Sequence, residues 1–365
     1  MSVIHFHNGM NWTEVEGYLY DKEGKSEKIS GSSLSFDRDQ FESLCFRDEK
    51  SGEKIGRYFP GKLAIDVEYK KIPSYETPLA FLKETGATGR IDTYVLKDEK
   101  NLFYRPNCSK KINVFVPTAY DGTEPYNLLY FFDAQNLFSQ AGQYTEDGDP
   151  YGGWQLDIVL QALQKQYGKK LIVVAIDHAD ELRMRELLKD LTAYGSLSAF
   201  ARAEVAKEEK VQVYMDNLAD FMRQTVHPMI LEKYCVTEKN MGIGGSSMGG
   251  IAAFCCALRE IGVYDYVLAY SPAFSLYEKE VYENWFSTLD FAGKKELLPK
   301  IHIFCGAGDP LEETLEKTAR IMKGILTEKG YDPEKVFETY DPLKKHNEET
   351  WRLVLPESFS LLFGL

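Results

Sequence analysis

Short apolar strands alternate with longer amphipathic segments from about residue 90 to the end of this 365-residue chain. Strands that are apolar over nearly their whole length are typical of a parallel sheet with helices on both faces. The pattern therefore predicts an α/β fold with a mainly parallel central sheet, whose functional residues lie at the carboxyl ends of the strands. Strand candidates are 112–116, 128–132, 171–176, 241–244, 266–270, 301–305 and 336–340, and helix candidates are 154–167, 211–230, 248–261, 312–329 and 348–362.

The first 88 residues have a different pattern and predict a small β-rich extension of unknown role. Residues 62–70 alternate apolar and polar side chains, as a half-buried strand does, and residues 12–20 are a weaker strand candidate. The glycines within residues 86–89 indicate a boundary. We therefore expect an extension over residues 1–88 and a larger α/β domain over residues 89–365.

Charge and hydropathy exclude two classes of partner. The chain has 43 Lys+Arg against 56 Asp+Glu, a net charge of -13, whereas nucleic-acid binding needs a basic face. No stretch approaches the roughly 18 to 20 apolar residues of a membrane span, and the first residues lack the basic and apolar regions of a signal peptide. We therefore expect a cytoplasmic protein without a nucleic-acid or membrane partner.

The cysteines indicate neither a disulfide framework nor a metal site. The six cysteines show no CxxC spacing and several lie in apolar runs, which is typical of buried free thiols in a chain of this size. Metal-ligand motifs such as HExxH are also missing from the sequence. We expect no metal and no cofactor.

A G-x-S-x-G motif, Gly245-Ser-Ser-Met-Gly249, lies between a predicted strand and a predicted helix. A sharp strand-to-helix turn holds a nucleophilic serine in a strained conformation and requires small residues two positions before and after it. Ser247 has glycines at both positions, whereas Ser246 has the bulky Met248 at one of them. The motif therefore predicts Ser247 as the nucleophile.

A serine nucleophile needs a base, usually a histidine that a carboxylate orients, and in this architecture the two follow the serine in the order carboxylate, histidine. Of the six histidines, His302 lies inside a predicted strand, where a packing role is expected, and His346 lies in the loop after the last strand. His346 is therefore the predicted base. Asp309, directly after the preceding strand, is the predicted carboxylate, and Glu312 is the alternative because its longer side chain can reach the same imidazole.

Backbone N–H groups are the expected donors to the oxyanion of the reaction. One belongs to Met248, which follows the nucleophile, and the other to the turn after strand 128–132. That turn reads Asp133-Ala-Gln-Asn136, and it predicts Gln135 as the second donor, with Asn136 as the alternative.

Several segments of the chain occur in the order in which a known family carries its motifs. They are Leu129–Phe138, Gly153-Trp-Gln-Leu-Asp157, Val174-Ala-Ile-Asp-His178, Arg183-Met-Arg-Glu186, Gly242–Gly250, Tyr270-Ser-Pro-Ala-Phe274 and His346-Asn-Glu-Glu-Thr-Trp351. By these segments the chain resembles the putative-esterase family of α/β-hydrolases, which includes enterochelin esterases, esterase D and feruloyl esterases. Residues 129–138 resemble the family's LYxxDGQNLF turn, although Ala134 stands where glycine is usual and Ser275 where tryptophan is frequent. The resemblance covers about residues 90 to 364 and implies an α/β-hydrolase catalytic domain with His346 as the base.

Together these features predict a serine carboxylic-ester hydrolase that acts through an acyl-enzyme on a small-molecule ester. Feruloyl or acetyl carbohydrate esters and siderophore esters are the candidate substrates. The alternatives are acyl transfer to a sugar and a non-catalytic binding protein of the same fold; the oligomeric state stays open. Trp154, Phe274 and Trp285 are candidate substrate-binding residues, and Tyr151, Tyr194 and Tyr277 lie in or near the same segments, although core packing explains each of them equally well.

Overall fold

The computed structural model describes residues 2–5, 14–21, 25–29, 33–36, 43–50, 54–58, 89–138, 153–199, 201 and 212–365. The strands are β1 (Ser2–His5), β2 (Val15–Tyr20), β3 (Ser26–Ile29), β4 (Ser33–Phe36), β5 (Ser43–Asp48), β6 (Lys54–Tyr58), β7 (Gly89–Lys97), β8 (Ser109–Pro117), β9 (Tyr126–Phe132), β10 (Leu171–Ile176), β11 (Val236–Ser246), β12 (Tyr266–Tyr270), β13 (Lys300–Gly306) and β14 (Val336–Asp341). The helices are α1 (Leu156–Tyr167), α2 (Arg183–Leu187), α3 (Met215–Phe221), α4 (His227–Lys233), α5 (Met248–Arg259), α6 (Lys279–Phe286), α7 (Pro310–Glu328) and α8 (Glu348–Phe363). A π-helical segment, Met222–Val226, joins α3 to α4.

The central sheet has eight strands in the order β14-β13-β12-β11-β9-β10-β8-β7. Strands β9 to β14 are parallel to one another, and β7 and β8 are antiparallel to their neighbours. The predicted mainly parallel α/β fold is confirmed, and each predicted strand of the sheet is present. The edge strand β7, which the sequence analysis did not identify, adds nine residues to the sheet.

Two hydrophobic layers cover the sheet because its buried strands alternate their side chains between two apolar faces. Along β9, Leu128, Tyr130 and Phe132 belong to one core, and Leu129 and Phe131 to the other. Helix α5 packs into the first core and α1 and α8 into the second. Because strands β9 to β14 run in the same direction, their carboxyl ends lie at one edge of the sheet, where the loops that follow them meet.

The described residues before β7 form two small antiparallel sheets, with strand orders β1-β4 and β3-β2-β5-β6. The predicted small β-rich extension is confirmed to this degree, and strand candidate 12–20 corresponds to β2. Candidate 62–70 and the boundary segment before Gly89 lie outside the described residues. The domain division at residue 88 stays a prediction.

Of the helices that the structure describes, none is both long and apolar enough to cross a bilayer. Cytoplasmic localisation stays a prediction from the sequence. The thiols of Cys255, Cys256 and Cys305 are free and buried, as predicted, and Cys108 and Cys235 are free and partly buried.

His302 is a packed residue of strand β13, as the sequence predicts. Its Nδ1 lies 2.8 Å from the Ser358 hydroxyl and its Nε2 lies 2.7 Å from the Thr339 hydroxyl. Glu357 is the carboxylate of this network and accepts from the Thr339 hydroxyl. Burial of the ring lowers the pKa of His302 to about 3.

This buried histidine makes stability depend on pH. An unfolded chain protonates this imidazole below about pH 6.5, whereas the folded protein does so only near pH 3. The free energy of unfolding therefore decreases as the pH falls through that window, by about 1.4 kcal/mol per pH unit. Between pH 6.5 and 4.5 we expect the wild type to lose about 2 kcal/mol more than His302→Gln, because the unfolded imidazole is only half protonated at pH 6.5. Urea unfolding at both pH values measures the difference. Equal losses in the two proteins would contradict this assignment.

Candidate active site

Ser247 occupies the turn between strand β11 and helix α5 with φ 54° and ψ −118°, a strained conformation for a residue with a side chain. Two glycines make this turn possible. A Cβ atom on Gly245 would lie 2.6 Å from the carbonyl carbon of Gly249, because the strand and the helix approach each other closely there. Ser247 is half-buried, whereas Ser246 ends the strand and is 5% exposed. The strained, glycine-flanked turn expected around Ser247 is therefore present.

The neighbouring strand β12 holds this turn in place. The backbone N–H of Ser247 donates to the carbonyl of Tyr270 at 2.8 Å, and the N–H of Ala273 donates to the carbonyl of Ser247 at 3.1 Å. Both bonds come from the segment that leaves the carboxyl end of β12. The serine is therefore fixed at the edge of the sheet where the other strand-end loops meet.

His346 lies in the loop between β14 and α8, and its imidazole contacts Glu312. The His346 Nδ1 is 2.7 Å from Glu312 Oε1, and the second oxygen of Glu312 accepts from the Gly306 N–H at 2.7 Å. The Glu312 side chain is fully buried and that of His346 is 16% exposed. Because Nδ1 faces a carboxylate, it carries the proton, and Nε2 is the basic nitrogen.

Asp309 does not contact the imidazole, in contrast to the sequence-based expectation. Its Oδ1 accepts from the N–H groups of Leu311 and Glu312 as the N-cap of helix α7, and its Oδ2 accepts from the backbone N–H of His346 at 2.7 Å. Burial opposes ionisation of this carboxyl, but the backbone hydrogen bonds outweigh it and lower the pKa of Asp309 below its usual value. Asp309 therefore orients the backbone of the histidine loop, and Glu312, the alternative, orients the ring.

The loops that carry these two groups are in direct contact. The N–H of Gly308 donates to the carbonyl of Lys344 at 2.7 Å, and the N–H of Ala307 donates to the carbonyl of Asp341 at 3.2 Å. A Cβ atom on Gly306 would lie 2.1 Å from the Lys344 carbonyl oxygen. The contact between the carboxylate loop and the histidine loop thus depends on a glycine.

Trp351 links the histidine to the segment that holds the nucleophile. Its indole packs edge-on against the His346 ring, with the ring centroids 5.0 Å apart, and its Nε1 donates to the Ser271 hydroxyl at 2.9 Å. Ser271 directly follows Tyr270, whose carbonyl binds the Ser247 N–H. Ser247, His346 and Glu312 are therefore brought to one edge of the sheet by a continuous set of contacts.

The predicted oxyanion turn is a short 3₁₀ segment, Ala134–Asn136, directly after strand β9. Asp133, which precedes it, has φ 57°, and its Oδ2 would lie 2.9 Å from a Cβ atom on Gly249. The turn therefore lies against the start of helix α5, where Met248 is the first residue. That the N–H groups of Met248 and Gln135 bind the oxyanion stays a prediction. The closeness of the turn to the start of helix α5 is consistent with it.

Two contacts tie this turn to the first residues of helices α2 and α8. The Arg183 guanidinium binds both carboxylate oxygens of Asp133, and the Asn136 side chain donates to Glu348 Oε1 at 2.6 Å. Arg183 and Glu348 lie in the segments that resemble the family, and the sequence analysis assigned no role to either. Their position in family-like segments was the signal available in the sequence. It did not reveal their partners, because Arg183 and Asp133 are 50 residues apart and Asn136 and Glu348 are 212 residues apart.

The candidate substrate-binding aromatic residues are core residues in this structure. Trp154, Phe274 and Trp285 are exposed by 2%, 0% and 3%. Trp154 stacks on Trp351, and Phe274 packs edge-on against Phe254 of helix α5. Each of these side chains is enclosed by other side chains, which gives no support to the expectation that they line the site. That expectation stays a prediction. Tyr277 is also buried, Tyr194 is half-buried, and Tyr151 lies outside the described residues.

A mainly parallel sheet with a strained serine turn, followed in the chain by a carboxylate and a histidine, defines an α/β-hydrolase. The model of the family described as Putative esterase matches residues 104–361, and the chain belongs to this family. It is a carboxylic-ester hydrolase by this membership.

Several solved structures share this fold. The siderophore hydrolase EstA from Aspergillus nidulans is 15% identical, with a TM-score of 0.57, 79% of this chain covered and 99% of that chain. The BES protein from Bacillus cereus is 12% identical, with a TM-score of 0.53 and coverages of 78% and 98%. The ferulic acid esterase AmCE1/Fae1A from Anaeromyces mucronatus is 16% identical, with a TM-score of 0.51 and coverages of 82% and 96%. Among curated proteins, none matches the chain.

Proposed function

We propose that this esterase acts through an acyl-enzyme with Ser247 as the nucleophile, His346 as the general base and acid, and Glu312 as the carboxylate that orients the imidazole. The contact between His346 Nδ1 and Glu312 carries this proposal. It sets the tautomer that leaves Nε2 basic, and it stabilises the imidazolium that forms when the serine loses its proton.

The proposed reaction has two stages. Ser247 Oγ attacks the ester carbonyl while His346 Nε2 takes its proton, and the N–H groups of Met248 and Gln135 bind the oxyanion of the tetrahedral intermediate. The intermediate collapses, the C–O bond to the alcohol breaks, and the alcohol leaves with the proton from His346. A water molecule then gives its proton to His346, attacks the acyl-enzyme and releases the acid, and Ser247 regains its proton.

We propose esters of carbohydrate-linked feruloyl or acetyl groups as the first substrate class, and siderophore esters as the second. Support comes from the fold shared with a ferulic acid esterase and a siderophore hydrolase. The buried aromatic residues provide no support for an aromatic acyl group, so the acetyl ester is an essential member of the comparison.

Labelling with a fluorophosphonate tests the proposed nucleophile. We expect one label per chain, located on Ser247 by peptide mapping, because the reagent reacts with a serine that an adjacent base activates. Labelled enzyme is then compared with unlabelled enzyme on feruloyl, acetyl and catecholate esters, with loss of hydrolysis in proportion to the label. Absence of labelling in a well-folded protein would overturn the proposed triad, and equally slow hydrolysis of all three esters would overturn the substrate classes.

A further inference from the structure

Arg183 and Asp133 form an ion pair beside the proposed oxyanion turn. Arg183 Nε donates to Asp133 Oδ1 at 2.8 Å, and its Nη2 donates to Oδ2 at 2.7 Å. The side chains are 31% and 14% exposed, so the pair is partly shielded from water. A fork of two parallel bonds fixes the orientation of the carboxylate as well as neutralising it.

The carboxylate of Asp133 is close to the peptide that is proposed to bind the oxyanion. Its Oδ2 is 2.9 Å from the position of a Cβ atom on Gly249, the residue after Met248. Asp133 is also only two residues before Gln135, which supplies the other proposed donor. The Asp133 carboxylate therefore lies near both proposed oxyanion donors, the N–H groups of Met248 and Gln135.

A negative charge at this place opposes the proposed reaction. The tetrahedral intermediate carries a negative charge of its own, and two like charges at short range in a partly desolvated site repel each other strongly. Pairing with a guanidinium, which stays protonated at every relevant pH, removes most of that repulsion.

The position of Arg183 is itself fixed from the buried side of the protein. Arg183 begins helix α2, and Glu186 in the same helix forms a fully buried ion pair with Lys110 of strand β8. The Tyr104 hydroxyl donates to the same Glu186 oxygen at 3.1 Å. These contacts hold the short helix on the sheet, and they thereby fix the position from which the Arg183 guanidinium reaches Asp133.

We propose that Arg183 is a positioning residue for ester hydrolysis, which neutralises Asp133 and holds the oxyanion turn against the start of helix α5. This inference rests on the proposed function. It assigns Arg183 an effect on the charged intermediate rather than on substrate binding.

Charge-neutral variants test the proposal. We expect Arg183→Gln to lower kcat about 100-fold, the effect of losing one oxyanion donor, with KM changed less than about threefold. Asp133→Asn combined with Arg183→Gln removes the uncompensated charge, and asparagine tolerates the left-handed backbone. We expect this double variant to recover kcat to within about tenfold of the wild type, and Arg183→Lys to fall between the wild type and Arg183→Gln.

Arg90→Gln is the matched control, because it breaks an exposed Arg–Asp pair on the edge strand β7. It should leave kcat and KM unchanged, and thermal unfolding identifies variants that do not fold. A double variant no more active than Arg183→Gln, or an Arg183→Gln variant with wild-type kcat, would overturn the proposal. The proposed function fails separately, because then the wild type itself takes no fluorophosphonate label on Ser247.

Discussion

Ser247→Ala is expected to lower kcat by about 10⁶-fold, the loss found when the nucleophile of a serine hydrolase is removed. The variant keeps the oxyanion donors but has no group to form the acyl-enzyme. The turn should persist, because Gly245 and Gly249 and the bond from the residue 247 N–H to the Tyr270 carbonyl do not depend on the serine hydroxyl. Initial rates on the best ester of the substrate panel measure the effect.

Ser246→Ala is the matched control for this prediction. Ser246 lies one residue earlier, ends strand β11 and is only 5% exposed, so little of it is accessible to a substrate. We expect its kcat to stay within about threefold of the wild type, because this variant removes no interaction that the proposed transition state makes. A large loss in Ser246→Ala with activity retained in Ser247→Ala would reverse the assignment of the nucleophile.

Glu312→Gln is expected to lower kcat by about 10⁴-fold, the loss seen when a triad carboxylate is removed or made neutral. In the wild type one oxygen faces His346 Nδ1 and the other accepts from the Gly306 N–H. A glutamine must place its NH₂ group against one of these two partners. Either the Gly306 N–H loses its acceptor, or the NH₂ faces Nδ1, and that favours the tautomer that protonates Nε2.

Asp309→Asn distinguishes the role of Asp309 from that of Glu312. Asp309 contacts backbone N–H groups of helix α7 and of His346 rather than the ring. We expect a loss of kcat of about tenfold or less, because the imidazole keeps Glu312, and a decrease of about 1 kcal/mol or less in the free energy of unfolding, since asparagine also caps helices. A larger kcat loss in Asp309→Asn than in Glu312→Gln would return the orienting role to Asp309.

Most of the fold was predictable because the buried strands carry a strong local signal. Strands β10 and β12 have the predicted bounds, since their uniformly apolar residues end abruptly at polar neighbours. The sequence analysis missed β7, which has a partner on only one side among the described strands. Its exposed and partly buried residues give a weak apolar pattern. The sequence analysis also missed helix α6, because its eight residues are too few to show a clear helical periodicity.

The amino-acid sequence by itself determined the nucleophile turn, because the steric requirement is local: glycines two residues on either side of Ser247, between an apolar strand and a small-residue helix. Only the tertiary structure decided which carboxylate meets His346. Asp309 and Glu312 are one helical turn apart, and the short aspartate is held by the backbone at the helix start, while the longer glutamate reaches the ring. The same holds for Trp154, Phe274 and Trp285, because burial depends on which distant side chains enclose a residue.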